Sequence, residues 1–157
     1  MAKIIDGKAI SQKVKDELKI KVQEFYKKTG KQITLAVILV GDNPASNKYI
    51  TNKKKDCEEV GIKFEWYHFP EEVSTDELIF NIEDIQKEVD AIIVQMPLPK
   101  HINVKEVELA IDPNKDVDGF HPMTKFKPCT PLGIVNYLKA CDYDFIGKNI
   151  AVIGRSD

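Results

Sequence analysis

Three short segments hold the side chains best suited to chemistry. In the first, Gly41 to Lys53, Tyr49 and Lys53 are four residues apart, which on a helix places both on one face. Lysine gives up its proton most readily when desolvated, so an amine at Lys53 in a cleft could move a proton near neutral pH. The Tyr49 hydroxyl, one turn away, can bond to that amine, and its ring offers a stacking surface. Yet Lys53 also belongs to a basic run with Lys48, Lys54 and Lys55, and such runs are usually solvated faces. The second segment is Gln95-Met96-Pro97-Leu98-Pro99. Gln95 follows four apolar residues, where an unpaired buried amide costs roughly 1–3 kcal/mol. It either orients a lysine or faces solvent in a turn. The two prolines stiffen that turn and withhold backbone donors. The third segment is Asp116-Val117-Asp118-Gly119. Asp118 can present a carboxylate to a ring with adjacent N–H groups, since a carboxylate accepts two such bonds in fixed geometry. A plain Asp-Gly turn is the simpler alternative.

These segments follow elements that would bring them together. The run 33–40 is continuously apolar and β-branched, as expected of a parallel strand covered on both faces. Gly41-Asp42 turns the chain, Asn43 caps and Pro44 opens a helix reaching Gly61. Residues 62–69 alternate like a strand. Ser74-Thr75-Asp76-Glu77 is a capping box, opening a helix with Leu78, Ile82 and Ile85 on its inner face. Ala91 to Val94 is another buried strand, and a short helix follows at 104–111. Upstream, residues 8–29 form an amphipathic helix with Ile10, Val14, Leu18, Val22 and Phe25 on one face, ended by Thr29-Gly30. Downstream, Thr130-Pro131 caps a helix whose inner face is Ile134, Leu138 and Cys141, and 149–153 is a short buried strand running into Gly154. The expected fold is a three-layer α/β/α domain with a mainly parallel sheet, followed by a further strand. Ligands of such sheets bind beyond the carboxyl ends of the strands, where the three segments fall.

Composition narrows the function classes. The 157 residues are 43% hydrophobic and 31% charged, with a formal net charge of -2 and the two signs interspersed. That pattern gives no nucleic-acid surface and no polybasic membrane patch. No apolar run is long enough to span a bilayer, and the first residues lack a signal-peptide core. Three widely spaced cysteines form neither a CxxC pair nor a disulfide framework, which implies a reducing, cytoplasmic setting. His68, His101 and His121 lack metal-ligand spacing, so no metal is expected.

Taken in order, the motifs resemble those of the bifunctional methylenetetrahydrofolate dehydrogenase/methenyltetrahydrofolate cyclohydrolase family. Val40-Gly41-Asp42-Asn43-Pro44-Ala45-Ser46 with Tyr49 and Lys53 is similar to its first signature. Val94 to Pro99 with His101-Ile102 is similar to its second, and Asp112 to Pro122 to its third. Pro128-Cys129-Thr130-Pro131 with Gly133, and Val152-Ile153-Gly154-Arg155-Ser156, resemble two more.

The resemblance implies that Lys53, Tyr49 and Gln95 are catalytic, with Gln95 positioning Lys53. It implies that Asp118 grips the pterin and Tyr49 stacks on the folate, with Pro97 and Leu98 in the binding wall. It further implies NADP or NAD as hydride acceptor, with Gly154, Arg155 and Ser156 opening the cofactor loop, a homodimer, and a place in the one-carbon metabolism that feeds purine biosynthesis. On this reading residues 1–122 form the folate-binding catalytic domain. Residues 123–157 form a connecting helix and the start of a Rossmann-type nucleotide domain, which is truncated here. A folate-binding module without redox activity is the alternative. One departure is visible: only Met123 to Lys127 joins the third motif to Pro128, about a dozen residues fewer than the family's connection.

Overall fold

The computed structural model describes residues 6–154. Helix α1 spans Gly7–Thr29, followed by strand β1, Thr34–Val40, helix α2, Pro44–Val60, and strand β2, Lys63–Phe69. Helix α3, Thr75–Glu88, strand β3, Ala91–Val94, helix α4, Val104–Ala110, and helix α5, Cys129–Ala140, complete the order. The strands form one parallel sheet in the order β2-β1-β3.

Local chemistry sets these boundaries. The Asp6 side chain accepts from Lys8 and Ala9 N–H at the start of α1, and Gly30 ends it at φ 69°. Asn43 accepts from Ala45 N–H at 2.9 Å and from Ser46 N–H at 3.3 Å, with Pro44 as the first helical residue of α2. Ser74 Oγ accepts from Glu77 N–H at 3.2 Å, the serine half of the anticipated capping box.

β1 is central and buried on both faces, as its unbroken apolar run predicts. Ala36, Ile38 and Val40 pack with Leu78, Ile82 and Ile85 of α3 and Val107 of α4. Val37 and Leu39 point the other way, onto Ile50 of α2. The period of two thus splits one continuous sequence run between two cores. At about 25 cal/mol per Å² of apolar surface, these two layers supply the main driving force for the domain.

Three expectations at the periphery need correction. First, the face predicted for α1 is only partly used: Val22 is buried, whereas Val14, Leu18 and Phe25 are 57%, 39% and 40% exposed. α1 lies against α2, held there by Lys15 bonded to Asp56 and Glu59 and by Gln12 bonded to Glu59, so polar contacts replace much of the apolar seam. Second, α5 starts at Cys129 with Pro128 at its cap position and no side-chain cap bond, so Thr130 is already helical. Ile134 is exposed, and Leu138 and Cys141 are only half-buried, because no sheet lies beneath this helix. Third, residues 149–153 form no strand. Val152 is 91% and Ile153 99% exposed, and no described strand lies alongside to complete a ladder.

Candidate functional site

Lys53 sits on the third turn of α2, and the start of that helix is fixed by the loop leaving β1. His68 Nε2 lies 2.8 Å from the Gly41 carbonyl oxygen, tying the loop to β2. Gln95 leaves β3 while still in the sheet's hydrogen-bond pattern, its N–H donating to Ile38 O at 2.8 Å. Its side chain is committed at both ends. The amide nitrogen donates to Met96 O at 2.8 Å, which turns Oε1 toward α2, where it accepts from Lys53 Nζ at 3.0 Å. The alternative of a turn glutamine facing solvent is excluded by this pair. The Met96–Pro97 peptide is cis.

The third segment closes the other side. The Asp116 backbone pairs beside Ile92 as an isolated parallel bridge, so the Asp118 loop is anchored at the edge of β3. Gly119 follows at φ 81°, and a Cβ there would lie 2.7 Å from Pro128 N. Only glycine fits a left-handed backbone at such close approach. The contact brings the start of α5 over the loop, and Cys129 Sγ donates to Val117 O at 3.5 Å. The short connection 123–127 therefore still closes this side of the cleft.

Burial pushes the Asp118 carboxyl above its ordinary range, the charge of Lys53 pulls it back, and Asp116 adds a smaller upward push. The Cys129 thiol, hydrogen-bonded to Asp118, is likewise raised, by burial first and by the Asp118 charge second. A half-buried lysine amine, the amide it bonds and a desolvated carboxyl within its electrostatic reach thus lie at the same end of the sheet. A hollow of about 660 Å³ opens beside Asp118 and is lined by Gly119, Phe120, Cys129 and Lys105, among others. A smaller one of about 330 Å³ lies between Gly41–Asn43 and Pro97–Pro99.

The remaining predicted residues are distributed unevenly. Tyr49 is 64% exposed and shows no bond to Lys53 among the described contacts, so its ring is free to stack but its hydroxyl does not hold the amine. Pro97 and Leu98 line the smaller hollow. Gly154 is exposed with nothing within 4 Å of a Cβ built on it, and Arg155 and Ser156 lie outside the described residues. The described residues therefore do not assemble a nucleotide pocket. Among them, no group of three or more His, Cys, Asp or Glu could hold a metal ion.

Two residues near the site were not singled out from the sequence as members of it. Cys129 carries only a motif resemblance until α5 is seen over Asp118. Asp116 is 1% exposed, with both carboxylate oxygens bonded to backbone N–H groups of its own loop. The one local signal is an aspartate three residues ahead of a glycine, the spacing of a side-chain-closed turn.

The chain is thus an open parallel α/β domain that gathers lysine, glutamine and aspartate beyond its strand ends, where ligands of such sheets bind. The profile described as "Tetrahydrofolate dehydrogenase/cyclohydrolase, catalytic domain" matches residues 5–118. The "Bifunctional protein FolD" of Agathobacter rectalis is 49% identical over 168 aligned positions that cover 100% of this chain and 60% of that protein. The crystal structure of the bifunctional FolD enzyme from Campylobacter jejuni superposes with a TM-score of 0.91 at 47% identity, covering 96% of this chain and 57% of that one. The Trypanosoma brucei enzyme, complexed with NADP cofactor and inhibitor, gives a TM-score of 0.89 at 25% identity over 94% of this chain and 54% of that one. This chain belongs to the tetrahydrofolate dehydrogenase/cyclohydrolase family, and it spans about 60% of the length of the curated relatives it matches.

Proposed function

We propose that this chain is the folate-binding, catalytic portion of an enzyme that interconverts 5,10-methylene-, 5,10-methenyl- and 10-formyltetrahydrofolate. The observation that carries the reading is the 3.0 Å bond from Lys53 to Gln95, made in the cleft that also holds Asp118. Asp118 accepts from the adjacent N–H groups of the pterin, and Tyr49 lays its exposed ring against the folate. Pro97 and Leu98 shape the neighbouring wall.

The hydrolytic step needs no metal, because the methenyl carbon is already cationic. Water oxygen bonds to that carbon while Lys53 Nζ takes one water proton. The bond from the same carbon to the pterin nitrogen then breaks as the remaining O–H gives up its proton and becomes the formyl C=O; the electron pair left on nitrogen takes up that proton as N–H, and the 10-formyl product is left. Gln95 limits the directions in which Lys53 can point, so the amine meets the water rather than sweeping the cleft. Oxidation of the methylene compound passes a hydride to NADP or NAD in the whole protein. The described residues build no site for that cofactor.

Residues 1–122 act as the folate unit and 123–157 as the connecting helix and the beginning of the nucleotide unit, in a cytoplasmic enzyme that is a homodimer when whole. Among the described residues, no helix is long and apolar enough to cross a membrane. The test is Lys53→Met. Decay of the methenyl absorbance should fall to the uncatalysed rate, while 5-formyltetrahydrofolate still binds with an affinity near that of the unaltered chain. Full methenyl turnover in the variant would remove Lys53 from the reaction.

A further inference from the structure

Asp116 is buried and charged, yet it does not reach into the cleft. Oδ1 accepts from Gly119 N–H at 3.0 Å and Oδ2 from His121 N–H at 2.7 Å. Its own backbone is held from three directions. Its N–H donates to Asp112 O at 3.0 Å, its carbonyl accepts from Thr124 Oγ1 at 3.1 Å, and it pairs beside Ile92 at the sheet edge. The carboxylate therefore works from a fixed base and grips the Asp118–Gly119 and Phe120–His121 peptide groups, the first of them formed by Asp118 itself.

We propose that Asp116 is a positioning residue of this cleft: its buried carboxylate clamps the loop that carries Asp118 and so aims the Asp118 carboxyl at the ligand. The proposal rests on the folate reading for the identity of that ligand and on the structure alone for the clamp. The two backbone donors arrive at separate oxygens, and a carboxylate offers both, whereas an amide would turn an NH2 group toward one of them. The charge has a second effect. Asp118 is faced by Lys53 from α2, by Cys129 from α5 and by Asp116 from its own loop, so Asp116 is the neighbouring anion in that set and favours the protonated form of Asp118.

The test is Asp116→Asn in the full 157-residue chain, with two readouts. Affinity for 5-formyltetrahydrofolate, measured by calorimetry, is expected to fall at least about tenfold, the scale of one lost charge-assisted bond. The Asp118 titration, followed by carboxyl-carbon NMR without ligand, is expected to move to lower pH. A purely structural role would lower thermal stability and leave both values in place in the folded variant. Wild-type affinity, or an unmoved Asp118 titration, in folded Asp116→Asn overturns the proposal.

Should that variant not fold, Thr124→Val decides. It removes the Oγ1 bond to Asp116 without touching a charge, so folate affinity should drop about two- to fivefold with the titration unmoved. Unchanged affinity there overturns the clamp. If the unaltered chain fails to bind 5-formyltetrahydrofolate at all, the folate reading falls, while the ligand-free titration still judges Asp116.

Discussion

Replacing Gly119 by alanine should damage the fold and the site together, and the size of the damage can be worked from the backbone. Gly119 has φ 81°, a region that costs a residue bearing a Cβ about 1–2 kcal/mol. The added carbon would also lie 2.7 Å from Pro128 N, 3.0 Å from the Lys127 carbonyl carbon and 3.1 Å from Pro128 Cα. All three are backbone atoms, so no rotamer change relieves the overlap. Relief requires the start of α5 to move off the Asp118 loop, which adds about 1–3 kcal/mol, as for other overpacked sites. A combined loss of about 2–5 kcal/mol corresponds to a fall in melting temperature on the order of 5–15 °C. Gly133 is the control. It lies inside α5 with nothing within 4 Å of a built Cβ, so Gly133→Ala should stabilise by about 0.5–1 kcal/mol through helix propensity. The assay is thermal unfolding by circular dichroism, with 5-formyltetrahydrofolate affinity measured well below the melting point. Equal melting temperatures for the two alanine variants, or unimpaired folate binding in Gly119→Ala, would refute the reasoning.

The other predictions concern polar groups of the cleft. Gln95→Ala removes the acceptor for Lys53 Nζ, so methenyl hydrolysis at saturating folate should slow about two- to tenfold, the rate equivalent of one neutral hydrogen bond; an unaltered rate would dismiss the positioning role. For Asp118, burial raises the folded-state pKa, so the folded protein holds its proton more tightly than the unfolded chain does. Stability therefore falls as pH rises from the ordinary carboxylate range through the raised value. Asp118→Asn should flatten that slope, leave the protein at least as stable at neutral pH, and lose folate affinity. Chemical denaturation across pH checks the first two outcomes and calorimetry the third; a variant less stable at neutral pH would contradict the sign.

Sequence legibility followed locality. The start of α2 was readable because Asn43 and Pro44 act within one turn, and β1 and β3 because a parallel strand buried on both faces leaves an unbroken apolar run. Lys53 and Gln95 were found as chemically apt residues, but their pairing spans 42 positions and no local rule encodes it. α5 misled for a related reason. Its apolar spacing is helical, yet burial depends on what lies beneath, and Ile134 faces open space. The run 149–153 has strand composition without a partner, and β propensity describes fit to a neighbour more than a preference of the chain itself. Asp116 is visible in the sequence as part of the third segment but carries no role there, because the N–H groups it accepts from are set by the fold of its loop.

The order β2-β1-β3 has a consequence for how such a cleft arises. From β1 the chain leaves over one face by way of α2 to reach β2, then returns over the opposite face by way of α3 to reach β3. The connections that follow the two adjacent strands β1 and β3 therefore diverge, and a crevice opens between them from topology alone. Lys53 and Gln95 are tenants on its two banks. Exchanging either one alters what the crevice does, while the crevice itself is inherited from the path of the backbone.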